Sequence, residues 1–170
     1  DYNGQRETRQ RDENRFQRYL ARKADFVIWL LANNYVVRLI EGDGTYDGPV
    51  REGLIEILRR RGVNCNDGRI LDEPVFSVEQ LLAQLATTDV IISPRFHNIV
   101  LGIMLNKPVI SLAYHEKFSS LMTEMGLSEY CQHLDDLDID KLKEQLKKLE
   151  KNAHGHVFYV KRKTKEYRVA

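Results

Sequence analysis

Asp89-Val90-Ile91-Ile92-Ser93-Pro94-Arg95-Phe96-His97 is the stretch that decides the fold. A short apolar run from Asp89 to Ile92 ends at Ser-Pro, and Phe96 to Leu105 is then apolar on nearly every side. The first part predicts a buried strand and the second a buried helix. Ser93 suits the helix cap, and Pro94 its first turn. Pro108 to Leu112 predicts the next strand, so the stretch opens a strand–helix–strand unit.

Working outward, the same alternation recurs. Upstream, Phe16, Leu20, Ala24, Val27 and Leu31 recur at helical spacing, and Asn33-Asn34 ends that helix. Tyr35 to Ile40 is β-branched and apolar and predicts a buried strand. Glu41 to Gly48 predicts a loop, and Pro49 suits a first helical position. Val50, Leu54, Ile57 and Leu58 form a stripe that Gly62 stops. Ile70-Leu71 predicts a short strand, and Ser77 and Gln80 have capping-box spacing before Leu81, Leu82 and Leu85. Downstream, Phe118 to Met125 predicts a helix and Tyr130-Cys131 an edge strand. Ile139, Leu142, Leu146 and Leu149 form a last stripe. Such alternation predicts an α/β protein in three layers, a mainly parallel sheet with helices on both faces. Residues 1–12 are expected to be a polar loop or end, 13–151 the folded domain, and 152–170 a basic C-terminal segment.

Composition bounds the function. The 170 residues carry a net charge of +1, which gives no global reason to expect nucleic-acid binding. Arginines from Arg6 to Arg22 and cations from Lys161 to Arg168 crowd the two ends and read as solvated faces and tails, the sharper alternative being contact with an anionic surface. Cys65 and Cys131 make no disulfide framework and fit a reducing compartment. There is no membrane-length apolar run, no signal-peptide pattern and no initiator Met, so the chain reads as a piece of something longer.

Ligands of open α/β sheets sit outside the carboxyl ends of the strands. Three loops follow predicted strands and are expected to converge there: Glu41 to Gly48, Ser93 to His97, and Ala113 to Lys117. Free backbone N–H groups at a helix start attract anions. A cationic His97 at that place opposes the helix dipole unless an anion is bound. Arg95 offers a planar fork and Lys117 a point charge. The plain alternative is a surface Arg, a core His and a solvated Lys.

Other chemistries fit poorly. The glycines of the Gly42 to Gly48 loop fall out of step with a dinucleotide fingerprint. Asp43, Thr45 and Asp47 have calcium-loop spacing, but Leu54 stands where a bidentate carboxylate is needed; Asp47 reads as a helix cap. The five histidines show no zincin spacing, so no metal ligand is assigned. There is no nucleophile elbow for Ser-His-Asp hydrolysis.

Thr88 to Tyr130 resembles the C-terminal signature of the polysaccharide pyruvyl transferase family. The residues that carry the resemblance are Ser93-Pro94-Arg95-Phe96-His97, Lys107-Pro108, Tyr114-His115-Glu116-Lys117 and Gly126-Leu127, in that order. Gly42-Asp43-Gly44-Thr45-Tyr46-Asp47 is similar to a further, looser segment of the family. The resemblance implies a Rossmann-like domain, one half of a glycosyltransferase-B-like arrangement whose N-terminal domain is missing here. It implies transfer of pyruvate from phosphoenolpyruvate to two hydroxyls of a cell-surface polysaccharide sugar, forming a ketal. His97 and Arg95 are then the catalytic residues, and Ser93, Arg95, Tyr114 and Lys117 bind substrate. No cofactor is implied beyond phosphoenolpyruvate as donor substrate. The partners are that donor, a saccharide acceptor and the missing domain. A cytoplasmic location follows, peripheral at the inner membrane face if the acceptor is lipid-linked, and the isolated chain is expected to be inactive. Two other readings stay open: half of a nucleotide-sugar-dependent glycosyltransferase, and a non-catalytic anion- or sugar-binding module.

Overall fold

The computed structural model describes residues 2–40 and 44–152, with side chains from 13 to 40 and from 48 to 152. The chain forms two compact units divided between Pro74 and Val75, a division that falls inside the stretch 13–151 read from sequence as one domain.

Unit 1 runs α1 (Tyr2–Ala32), β1 (Val37–Arg38), α2 (Gly44–Arg60) and β2 (Ile70–Leu71). The α1 and α2 stripes named above supply its core. Leu20, Ala24, Val27 and Leu31 pack with Leu54, Leu58 and Ile70. The two strands pair in parallel, Val37 with Ile70 and Arg38 with Leu71. Three expectations are corrected here. Helix α1 already covers residues 2–12, where polar but helix-favouring Arg, Gln and Glu carry no apolar stripe. The strand expected over Tyr35 to Ile40 pairs at two residues only and is half-buried. Helix α2 starts at Gly44, so Gly44 to Gly48 is helix rather than loop. Asp47 therefore lies inside that helix instead of capping it, and Pro49 lies within it, where it can donate no hydrogen bond. Residues 41–43 and 153–170, which include Gly42, Asp43 and nearly all of the basic C-terminal segment, lie outside the described residues.

Unit 2 runs α3 (Val78–Ala86), β3 (Ile91–Ser93), α4 (Phe96–Met104), β4 (Val109–Ala113), α5 (Glu116–Glu124), β5 (Cys131–His133) and α6 (Ile139–Lys151). The sheet is parallel in the order β3-β4-β5. All five residues of β4 are buried, so both faces of the central strand are covered. Register and side-chain alternation show what covers them. Ile91, Val109, Ser93, Ser111 and Cys131 share one face; Ile110, Leu112 and Gln132 share the other. A Cβ on Gly102 of α4 would come within 2.8 Å of both Ile91 Cδ1 and Val109 Cγ1, so α4 lies on the first face. Gln132 Nε2 donates to Gln145 Oε1 of α6 at 2.7 Å, so α6 lies on the second. Gln132 Oε1 also accepts from Asp138 N at 3.0 Å, and Gln145 Nε2 donates to the Glu129 carbonyl at 2.5 Å. Both buried glutamines are thereby satisfied. The fold is α/β and Rossmann-like.

Helix ends follow the residue chemistry. Ser77 Oγ accepts from Gln80 N at 3.3 Å, while Gln80 Oε1 accepts from Phe76 N at 2.8 Å, a capping box shifted by one residue. Four helices end in the same six-residue closure: Tyr35 N bonds Leu30 O, Val63 N bonds Leu58 O, Lys107 N bonds Gly102 O, and Leu127 N bonds Met122 O. Asn34, Gly62, Asn106 and Gly126 take the left-handed position these closures need. Among the described residues no helix is long and apolar enough to cross a membrane.

The alkaline side of the stability profile can be read from unit 2. Burial, aided by Glu129, pushes the Tyr130 phenol up. Burial likewise pushes the Cys131 thiol up, partly offset by Lys141. The hydrogen bond and ion pair with Glu129 hold the Lys148 ammonium up. Each raised value means that the folded state holds its proton more tightly than the unfolded chain. That stability is complete below the unfolded values and is lost as pH rises through the folded ones. Melting temperature is expected to hold level between about pH 7 and 8 and to fall from about pH 9 upward. A melting temperature that stays constant to about pH 11 would contradict this.

Candidate functional site

The turn after β3 is closed by its own serine. Ser93 is buried, and its Oγ accepts from Arg95 N at 3.0 Å. This corrects the sequence reading, in which Ser93 caps the helix and Pro94 opens it. Arg95 is the cap residue, with extended backbone and no side-chain cap bond, and the helix begins at Phe96. Pro94 is the cause: it disfavours helical backbone at the residue before it, and Ser93 remains in the strand. The first helical hydrogen bond runs from Ile99 N to Arg95 O at 3.2 Å. The amides of Phe96, His97 and Asn98 have no hydrogen-bond partner among the described residues. Three N–H groups are thus presented at a helix start that carries partial positive charge.

The turn after β4 is built differently. His115 caps α5 through Nδ1, which accepts from Lys117 N at 3.2 Å. That bond requires the Nδ1 lone pair and so fixes the proton of a neutral His115 on Nε2. Tyr114, His115, Glu116 and Lys117 are all exposed.

One aromatic ring joins the two turns. The Lys117 ammonium lies 4.8 Å from the Phe96 ring centre and 5.9 Å from that of Phe118. The His97 ring stands edge-on to Phe96 at 6.3 Å. Phe96 meets the fully buried Phe118 edge-to-face at 5.4 Å, and Tyr114 meets Phe118 at 5.0 Å. His97 and Lys117 therefore flank a common ring, and Arg95 is the residue immediately before it. His97 is exposed rather than held in the core. Arg95 is half-buried at the cap position. The arrangement places cationic and ionisable groups beside the N-termini of α4 and α5, at the carboxyl ends of two adjacent parallel strands. Helix dipoles disfavour cations there, and an anionic ligand relieves the conflict.

Sequence reasoning missed three members of this region. Phe96 reads as one more apolar residue of a buried helix, although its ring is what Lys117 and His97 share. Asn98 is 4% exposed and makes no side-chain hydrogen bond among the described residues. Ser111 is wholly buried, and its Oγ has no hydrogen-bond partner. The available signal was polarity out of place: Asn98 interrupts an apolar helix, and Ser111 interrupts the apolar strand Val109–Ala113. Among the described residues no group of three or more His, Cys, Asp or Glu is placed to hold a metal ion.

The family model for polysaccharide pyruvyl transferase matches residues 4–116. The match takes in Ser93, Arg95, His97, Asn98 and Tyr114 and stops one residue before Lys117. No curated protein and no solved structure gives a match. With well over half of its residues matched and a parallel α/β fold presenting Arg95 and His97 at a strand end, the chain belongs to the polysaccharide pyruvyl transferase family.

Proposed function

We propose that this chain is the donor-binding half of a transferase that moves the pyruvyl group of phosphoenolpyruvate onto a sugar of a cell-surface polysaccharide. The observation that carries the reading is that His97 and Lys117 flank the Phe96 ring, with Arg95 at the cap position just before it, beside two helix N-termini. The donor has a carboxylate and a phosphate, and this surface supplies several distinct ways to hold an oxyanion. Arg95 is suited to bidentate contact, Lys117 to a point-charge contact, and the amides of residues 96–98 to the remaining oxygens. Tyr114 places an exposed ring and hydroxyl at the rim for the saccharide. Ser93 acts by holding the turn through the Arg95 amide.

The chemistry then runs in balanced steps. A proton added to the terminal carbon of the enol leaves an oxocarbenium-like centre at the carbon bearing the phosphate ester. A sugar hydroxyl attacks that carbon and releases its proton. Inorganic phosphate departs with the C–O bonding pair, and the second hydroxyl closes the ketal with loss of a second proton. His97, exposed and beside the helix start, is the acid/base for these transfers. The acceptor is bound by a second, N-terminal domain across a glycosyltransferase-B-like cleft. The assembly works in the cytoplasm, at the inner membrane face when the acceptor is lipid-linked.

Two measurements test the reading. Phosphoenolpyruvate is expected to raise the melting temperature of this chain more than a nucleotide sugar does; the reverse ranking would favour a glycosyltransferase. In the two-domain enzyme, His97→Ala is expected to lower kcat by about a hundredfold or more. Donor affinity should change only a few-fold, because a proton-transfer group acts mainly in the transition state. Unchanged kcat would remove His97 from its role.

A further inference from the structure

Beneath the exposed cations lies a row of polar groups that the proposed reaction does not yet use. Gly102 stands over Ile91 and Val109. In a strand–helix–strand crossover the helix runs opposite to its strands. One turn back from Gly102, about 5.4 Å, is Asn98. Two residues further along the strands, about 6.6 Å, the same face presents Ser93 and Ser111. Register extends the row to Cys131. Asn98 therefore sits above the two serines, at the carboxyl end of the sheet. Ser93 is engaged by Arg95 N, Ser111 Oγ has no partner, and the Asn98 carboxamide has none among the described residues. A leucine of similar size at position 98 would fill the same space with no amide to satisfy. A side chain that is 4% exposed and unpartnered, in the same turn as three free backbone amides, is arranged to meet a partner from outside the chain.

The geometry points to Asn98 as a further ligand-binding residue, its carboxamide NH2 donating to an oxyanion oxygen seated on the N-terminus of α4. The inference rests on the donor-binding reading above. The shared ligand chemistry is a phosphate or carboxylate oxygen, and separate titrations with inorganic phosphate and with pyruvate tell the two apart.

Titration calorimetry and thermal melts of this chain form the test, on wild type, Asn98→Leu, Asn98→Ala, Asn98→Asp and Arg95→Ala. Asn98→Leu is expected to bind at least one of the two anions about tenfold more weakly. Its melting temperature without ligand should be unchanged or higher, an outcome that a purely structural asparagine would not give. Asn98→Asp should weaken binding further, because its carboxylate repels the anion. Asn98→Ala provides the same reading of affinity if leucine proves too bulky to fold. Wild-type affinity for both anions in the Leu variant, or in the Ala variant where Leu does not fold, would overturn the inference. If Arg95→Ala still loses binding in that case, the donor-binding reading stands without Asn98. Failure of the wild type to bind phosphate, pyruvate or phosphoenolpyruvate would overturn both.

Discussion

Arg95→Ala is expected to remove nearly all of the thermal stabilisation that phosphoenolpyruvate gives this chain. A ligand at a hundred times its dissociation constant stabilises a fold by about 2.7 kcal/mol through mass action. Charge-assisted hydrogen bonds contribute about 1.5–3 kcal/mol each, so losing a two-pronged contact weakens binding on the order of a hundredfold or more. At the same ligand concentration the remaining stabilisation is then about 0.4 kcal/mol or less, close to the resolution of a melt. Arg95→Lys should fall between the two, since an ammonium keeps the charge but not the planar fork. Dissociation constants from calorimetry check the ranking. Equal anion affinity in wild type and Arg95→Ala would sink the assignment of Arg95 while leaving the fold untouched.

Gly102→Ala is the substitution expected to damage the scaffold most. Alanine in a helix normally gains about 1 kcal/mol over glycine. At Gly102 the added methyl would sit 2.8 Å from Ile91 Cδ1 and 2.8 Å from Val109 Cγ1. Val109 is wholly buried and Ile91 nearly so, and both must shift within the core to admit the methyl. Overpacking of this kind costs about 1–3 kcal/mol and outweighs the helical gain, for a melting temperature lower by about 2–8 °C. Gly48→Ala in α2 is the control, because a Cβ there meets nothing within 4 Å. It should be neutral or stabilising by up to about 1 kcal/mol. Opposite signs for the two glycines would locate the effect in packing against the sheet; a stabilised Gly102→Ala would show that α4 is not seated as described.

Unit 2 was largely legible because its signals are local. The Leu142, Leu146 and Leu149 stripe and the Ser77–Gln80 cap each depend on residues close in sequence, and each took its expected place. Strand boundaries shifted because pairing, not propensity, sets them. Ser93 pairs with Ser111, so β3 runs to Ser93 instead of ending at Ile92. The start of α1 was hidden because a helix without an apolar stripe has no periodicity to detect. At the site, the order of residues revealed which side chains share a strand end, but not that Phe96 would stand between His97 and Lys117. Nor could it show that Asn98 would be buried, since a helix reveals its inward face only once its neighbours are placed.

The contact of Phe96 with Phe118 has a consequence for how a ligand is received. The two phenyl rings tie the turn after β3 to the turn after β4, and the ammonium of Lys117 is held against the same rings. Two segments that could each sample many positions are linked through a ring that is itself wholly buried. A guest arriving here loses its own translational freedom but need not freeze two independent loops as well. Affinity in this family member can therefore come from modest contacts on a surface already set. Replacing Phe96 by a small aliphatic residue would loosen the link between the two turns, and is expected to weaken the proposed oxyanion contacts together without touching any of the cations.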